Sequence, residues 1–182
     1  MKEVSIVGKA PSGQKCPFEG EVWGINNVSV MYPDKHFDKL FAFDPMEKES
    51  TGSEDLKFMK STGIPIVSVQ KYADEKYPIE EIKKKFGRTY FMASVAYAIA
   101  YALLYGYEKI KLYGTDYKLP EYLKDKGSVE YWIGRAESMG VIVEVQPESY
   151  LVRTIWTLAI PIIKPTVKPT YVEISQPKEP AP

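Results

Sequence analysis

The sequence predicts an α/β fold, Rossmann-like, with a mostly parallel sheet of about six strands and helices on both faces. Three observations carry the prediction. Short apolar segments alternate with longer helical ones along the chain, as chains that wind a sheet between helical layers do. Strand segments such as Val4-Ser5-Ile6-Val7 are rich enough in β-branched residues to be buried on both faces. Gly, Pro, Asn or Asp bounds the segments, and these residues end strands and helices for backbone reasons.

The strands are expected at residues 3–7, 21–25, 39–43, 64–69, 109–113 and 141–145. Between them, helices are expected at 53–61 with Ser53 as N-cap, at 78–86 with Pro78 in the first turn, at 92–105 ending at Gly106, and at 128–139 ending at Gly140. One more amphipathic helix is expected over residues 150–160. From Pro161 onward six prolines fall within 22 residues, a composition that packs neither as a helix nor as a central strand. The expected organisation is one domain over 1–160 and a proline-rich flexible tail over 161–182, suited to docking a protein partner.

Composition narrows the function. Lys plus Arg and Asp plus Glu number 24 each, so no whole-chain field draws the protein to bulk nucleic acid or to an anionic membrane. Cys16 and His36 are the sole cysteine and histidine, which leaves no disulfide framework and no zinc or haem ligand set. This usage fits a reducing cytoplasm, the expected location. The apolar run 91–105, broken by Ser94 alone, is shorter than the ~20 residues a membrane span needs. The apolar patch at residues 4–7 is too short for a signal peptide's central region. A homodimer through an edge strand or the 150–160 segment is open.

Candidate site residues gather where predicted strands end. After the first strand, Gly8-Lys9-Ala10-Pro11-Ser12-Gly13 is a small-residue turn whose backbone N–H groups could cradle a phosphate, or simply join strand to helix. It is neither a P-loop nor a G-x-G-x-x-G fingerprint. Asn26 and Asn27 follow the second strand, as base or sugar readers or as turn formers. Asp44 follows the third, to cap a turn before Pro45 or to ligate a metal. Gly114-Thr115-Asp116 follows the fifth. Asp44 and Asp116 are the expected ligands of a Mg²⁺ ion that would neutralise a nucleotide phosphate.

Ser94, at the start of an alanine-rich helix, either caps it or helps bind an anion. The stripe Tyr97, Tyr101 and Tyr105 reads as core. In the segment 129–136, Glu130 and Arg135 either pair with each other or face the site separately, Arg135 with a planar fork for phosphate or carboxylate. The expected catalytic set is thus Asp116, Asp44, Arg135 and Glu130.

One ordered set of motifs supports a resemblance. It runs Gly8-x-Ala10-Pro11-Ser12, Trp23-Gly24-x-Asn26, Tyr90-Phe91-x-x-Ser94, Gly106-Tyr107-x-x-Ile110, Tyr113-Gly114-x-Asp116 and Glu130-Tyr131-Trp132-Ile133-Gly134-Arg135-Ala136. Together these resemble small Rossmann-like proteins encoded by tailed bacteriophages. More distantly, the first turn, the Asn after the second strand, the serine-led helix and the Gly-x-Asp strand end look like archaeal-type 6-hydroxymethylpterin pyrophosphokinases and related bacterial sialyltransferases.

The resemblance covers about residues 3–150. It implies a nucleotide pocket at Gly8, Pro11, Ser12, Asn26 and Asn27, with Ser94 and Gly114 beside it. It also implies glycosyl or pyrophosphoryl transfer from a nucleotide or nucleotide-sugar donor. The chain departs from the pattern at Ala10, at Ala93 and in lacking a histidine near the sheet edge. The alternative is a phage accessory protein that binds a nucleotide or a host or virion protein without turnover.

Overall fold

The structure is a computed structural model that describes residues 1–46, 50–119 and 122–152. Seven strands form one sheet: β1 (Glu3–Val7), β2 (Val22–Ile25), β3 (Lys39–Phe41), β4 (Ile66–Ser68), β5 (Glu75–Lys76), β6 (Lys109–Tyr113) and β7 (Ile142–Val145). Their order is β5-β4-β3-β2-β1-β6-β7, and every neighbouring pair is parallel. The chain steps outward from β1 to β5, then returns to the other side of β1 to add β6 and β7. The order reverses between β1 and β6, and α/β sheets hold ligands outside the carboxyl ends of strands at such a reversal.

Four helices cover both faces: α1 (Ser50–Ser61), α2 (Ile79–Phe86), α3 (Ser94–Leu104) and α4 (Leu123–Ser138). On one face α2, α3 and α4 bury Val4, Ile6, Trp23, Ile25, Phe41 and Ile110. On the other, α1 packs Met59 and Leu56 over Leu40 and Ile66, while the connectors after β1 and β2 cover Val7 and Val22. β1 alternates its side chains between these two cores, so Val4 to Val7 are all buried, Ser5 being the single polar residue among them. The α/β class and the parallel sheet expected from the sequence are present.

The differences have local causes. β5 was not anticipated, since two polar residues carry no period-2 signal. It is fixed by pairing with β4 and by Asp74, whose carboxylate accepts from the Ile66 amide at 3.0 Å. Helix α4 starts five residues before the expected position 128. Gly127 weakens the helical signal there, but a Cβ at that position would meet the Tyr90 hydroxyl at 3.2 Å. The expected helix over 150–160 begins as a turn at Leu151 and Val152. Its remainder and the tail 161–182 lie outside the described residues.

Trp23 organises the core beneath α3, with the rings of Phe41, Tyr107 and Tyr101 at 5.0, 5.0 and 5.4 Å. Its indole N–H donates to Glu21 at 2.9 Å, and Glu21 also accepts from the Tyr107 hydroxyl at 2.5 Å. Tyr97 and Tyr101 lie against this core and Tyr105 is exposed. No helix among the described residues is long and apolar enough to cross a membrane.

Candidate functional site at the carboxyl edge of the sheet

Strand register brings the candidate residues to one edge. Val7 is level with Gly24 and Tyr113, and Ile25 with Phe41, so Gly8, Asn26 and Gly114 all emerge at the carboxyl side. There they sort into two arrangements.

The first closes the reversal between β1 and β6. Gly8 and Gly114 approach so closely that a Cβ on either would lie nearer than 3.0 Å to the other's carbonyl oxygen, and Gly114 has φ +63°. Both demands select glycine. Ser12, in the 3₁₀ turn Pro11–Lys15, donates its hydroxyl to Asp116 Oδ1 and its amide to Oδ2 at 3.2 Å. The Gly114 amide in turn donates to Ser12 Oγ at 2.8 Å. Ser12 and Asp116 are 3% and 2% exposed.

Most N–H groups of the first turn already have partners within the protein. Gly8 donates to Tyr113 O, Ala10 to Gly114 O, Gly13 to Ala10 O, and Ser12 to Asp116. Packing the turn onto the β6 strand and loop occupies three of these donors, and the turn itself occupies that of Gly13. Asp116 likewise has both carboxylate oxygens engaged by Ser12.

The second arrangement is open. Asn26 Nδ2 donates to Asp44 Oδ2 at 3.2 Å, and the Ser94 hydroxyl donates to Asn26 Oδ1 at 3.2 Å. A line of side chains from β2, β3 and the start of α3 results, with Asp44 exposed. Asn26 has φ +53°, the left-handed region that Asn tolerates better than most residues. Ser94 begins α3, and Ala93 before it supplies no side-chain cap. The Ala96 amide donates to Ala93 O at 2.9 Å, and the Ser94 and Val95 N–H groups retain anion-binding character toward this edge. Asn27, 8% exposed, donates Nδ2 to Asp55 Oδ1 at 2.5 Å, while its own Oδ1 is buried without a partner.

Glu130 and Arg135 join neither arrangement. Glu130 accepts from the Val152 amide at 2.6 Å and pairs with Lys126 at 2.9 Å. Arg135 donates to Phe86 O at 3.4 Å, with its guanidinium over the Phe86 ring. They face separate partners because residues five apart on α4 point in different directions. No group of three or more His, Cys, Asp or Glu is placed to hold a metal among the described residues.

Two features were not read from the sequence. Asp55 reaches Asn27 because α1 begins at this same edge; its one signal is an acid near the start of a helix that follows a strand end. Phe43, Tyr97, Phe91 and Trp132 form a continuous stack beside Asp44 and Ser94, with successive ring centroids 3.7, 4.1 and 5.2 Å apart. Burial pushes the Tyr97 hydroxyl above its ordinary pKa, which keeps this wall neutral.

No family model and no curated protein matches the chain. Solved structures do. One is the sialyltransferase CstII from Campylobacter jejuni in complex with cytidine-5'-monophosphate, at 17% identity and TM-score 0.54, covering 83% of this chain and 82% of that one. A second is an apo α-2,3-sialyltransferase from Campylobacter jejuni, at 15% identity and TM-score 0.52, covering 88% and 79%. A third is sialyltransferase CST-II with a trisaccharide acceptor and CMP, at 18% identity and TM-score 0.51, covering 82% and 83%. The seven-stranded parallel sheet and its helices thus have the α/β fold on which these sialyltransferases are built.

Proposed function

We propose that the chain binds a nucleotide sugar at the carboxyl edge of its sheet and transfers the sugar to an acceptor hydroxyl. The observation that carries this reading is the hydrogen-bonded line Asp44, Asn26, Ser94, which joins two strand ends and a helix start at an open edge. The likeness to sialyltransferases solved with CMP supports a donor whose sugar leaves a single phosphate, and so favours glycosyl over pyrophosphoryl transfer.

In this reading Asn26 and Asn27 face the nucleoside. Ser94 and the first turn of α3 receive the phosphate, where hydroxyl and amide dipoles favour negative charge. Gly8, Pro11, Ser12 and Gly114 form the adjoining wall, and Asp116 holds that wall through Ser12. Asp44 is the carboxylate open to solvent, and it takes the acceptor's proton as the acceptor oxygen attacks the anomeric carbon. The bond from that carbon to the phosphate oxygen breaks, and the nucleotide leaves with the electron pair. The residues present do not fit the Mg²⁺ pair expected from the sequence, because Ser12 engages both oxygens of Asp116; no step is routed through the ion.

The test is calorimetric titration with CMP and CMP-sialic acid, followed by release of free CMP in the presence of a lactose acceptor. Asn26→Ala and Ser94→Ala should each weaken CMP at least tenfold. Asp44→Asn should slow release by about 10²–10⁴-fold, the usual worth of a general base, while leaving CMP affinity within a few fold. No binding at millimolar nucleotide sinks the reading.

A second reading, a phage accessory protein that binds a nucleotide without turnover, is favoured by the internal engagement of Asp116 and of the first turn's N–H groups. It predicts CMP binding that needs no Mg²⁺ and no CMP release with any acceptor.

A further inference from the structure

Away from the carboxyl-edge site, on the sheet face opposite α3, a cavity of about 310 Å³ lies between the connector from β2 to β3 and the C-terminal half of α1. Phe37, Phe58 and Ile64 give it apolar walls; Ser29, Lys35 and His36 are the polar groups that bear on the argument. Its volume sits at the bottom of the ~300–1,000 Å³ range of small-molecule sites and is too small for a nucleotide sugar.

Three observations define an occupant. Phe37 is 3% exposed, so one wall is fixed core. Ser29 is 4% exposed and its hydroxyl has no hydrogen-bond partner, a costly state for a buried polar group. Of the other hydroxyl-bearing residues in the lining, Thr62 donates to Met59 O at 2.6 Å, while the Tyr32 hydroxyl is, like that of Ser29, buried without a partner and lies close to Gly13. Among the described residues no carboxylate lines the cavity. His36 is paired with Asp38 at 3.1 Å, whereas Lys35, in contact with the Phe18 ring, has no ion-pair partner among the described residues. An apolar slot with two unanswered hydroxyls, those of Ser29 and Tyr32, and one unanswered cation matches an organic anion with a flat apolar body and a polar substituent.

We propose that this cavity binds a small aromatic carboxylate, its ring between Phe37, Phe58 and Ile64, its carboxylate on Lys35 and a ring hydroxyl on Ser29. The test is calorimetric titration of the full chain with 4-hydroxybenzoate, against benzoate, benzyl alcohol and acetate, each with and without saturating CMP. The expected result is one-to-one binding of 4-hydroxybenzoate, unaffected by CMP and at least fivefold weaker for benzyl alcohol and acetate. Lys35 is exposed, so Lys35→Gln tests the charge without risk to the fold and should cost fivefold or more. Ser29→Ala should weaken 4-hydroxybenzoate at least threefold and leave benzoate unchanged. Absence of binding at 10 mM, competition by CMP, equal binding of acetate, or unchanged affinity in both variants would each overturn the assignment.

Discussion

The Ser12 hydroxyl donates to Oδ1 of Asp116 while the Ser12 amide donates to Oδ2 at 3.2 Å, so one residue occupies both oxygens of the other. Asp116 is 2% exposed. Removing either partner leaves buried polar groups unanswered, and hydrogen bonds to a charged group contribute about 1.5–3 kcal/mol each. Asp116→Ala and Ser12→Ala should therefore each destabilise the domain by about 2–4 kcal/mol in urea titrations. The double variant should cost less than the sum, since the two residues share one interaction. A gain in stability from Asp116→Ala would mean that Asp116 is a strained functional carboxylate rather than a brace.

Gly8 and Gly114 form the tightest backbone approach at the reversal of strand order, and an added Cβ at either would collide with the other's carbonyl. Gly114→Ala adds the strain of its positive φ. Both substitutions should lower the melting temperature by more than 10 °C, the shift expected of several kcal/mol in a domain of this size. A shift under 3 °C in either would show that the two loops separate at little cost.

Alkaline unfolding should follow the buried tyrosines. Burial raises the hydroxyls of Tyr77, Tyr101 and Tyr107, with neighbouring tyrosines and carboxylates adding to the effect. A folded-state pKa above the unfolded value, about 10, means that the folded state holds the proton longer. The stability this gives is complete below pH ~10 and is lost as pH rises above it. Tyrosinate absorbance should lag behind that of free tyrosine and then appear together with loss of helical signal. Tyr77→Phe should shift that transition to higher pH; the same variant should lower stability at pH 7, because the Tyr77 hydroxyl donates to Tyr97 O at 2.9 Å. An alkaline transition unmoved by Tyr77→Phe would contradict the coupling.

Gly127 lies inside α4, where glycine costs up to about 1 kcal/mol relative to alanine. Among the described residues the sole atom an added Cβ would crowd is the Tyr90 hydroxyl at 3.2 Å, and Tyr90 is 46% exposed. Gly127→Ala should raise the urea midpoint. A fall would show that the Tyr90 ring, edge-on to Tyr131 at 5.9 Å, cannot give way.

Strand ends were legible because apolar runs stop at Gly8, Asn26, Asp44 and Gly114, and a parallel sheet brings such stops to one edge. The partners at that edge were not legible. Asp44 and Asp116 look alike in sequence, each a carboxylate just past a strand. The packing of the first turn onto the β6 loop buries Asp116 on Ser12, whereas Asp44 beyond Phe43 stays in solvent. The Glu130 to Ala136 string was readable as a motif, but the helical rotation that sends Glu130 to Val152 and Arg135 to Phe86 depends on what α4 packs against.

By itself the sequence determined the parallel α/β layering, the two-faced burial of β1 and the edge at which polar residues would collect. These follow from local periodicity and from where glycine, proline and asparagine interrupt it. Tertiary structure alone decided that Asp116 braces a turn while Asp44, Asn26 and Ser94 form the open line. A hydrogen bond between residues 104 positions apart, such as Ser12 to Asp116, has no local signature. It exists because two glycines let the backbones of β1 and β6 close over it.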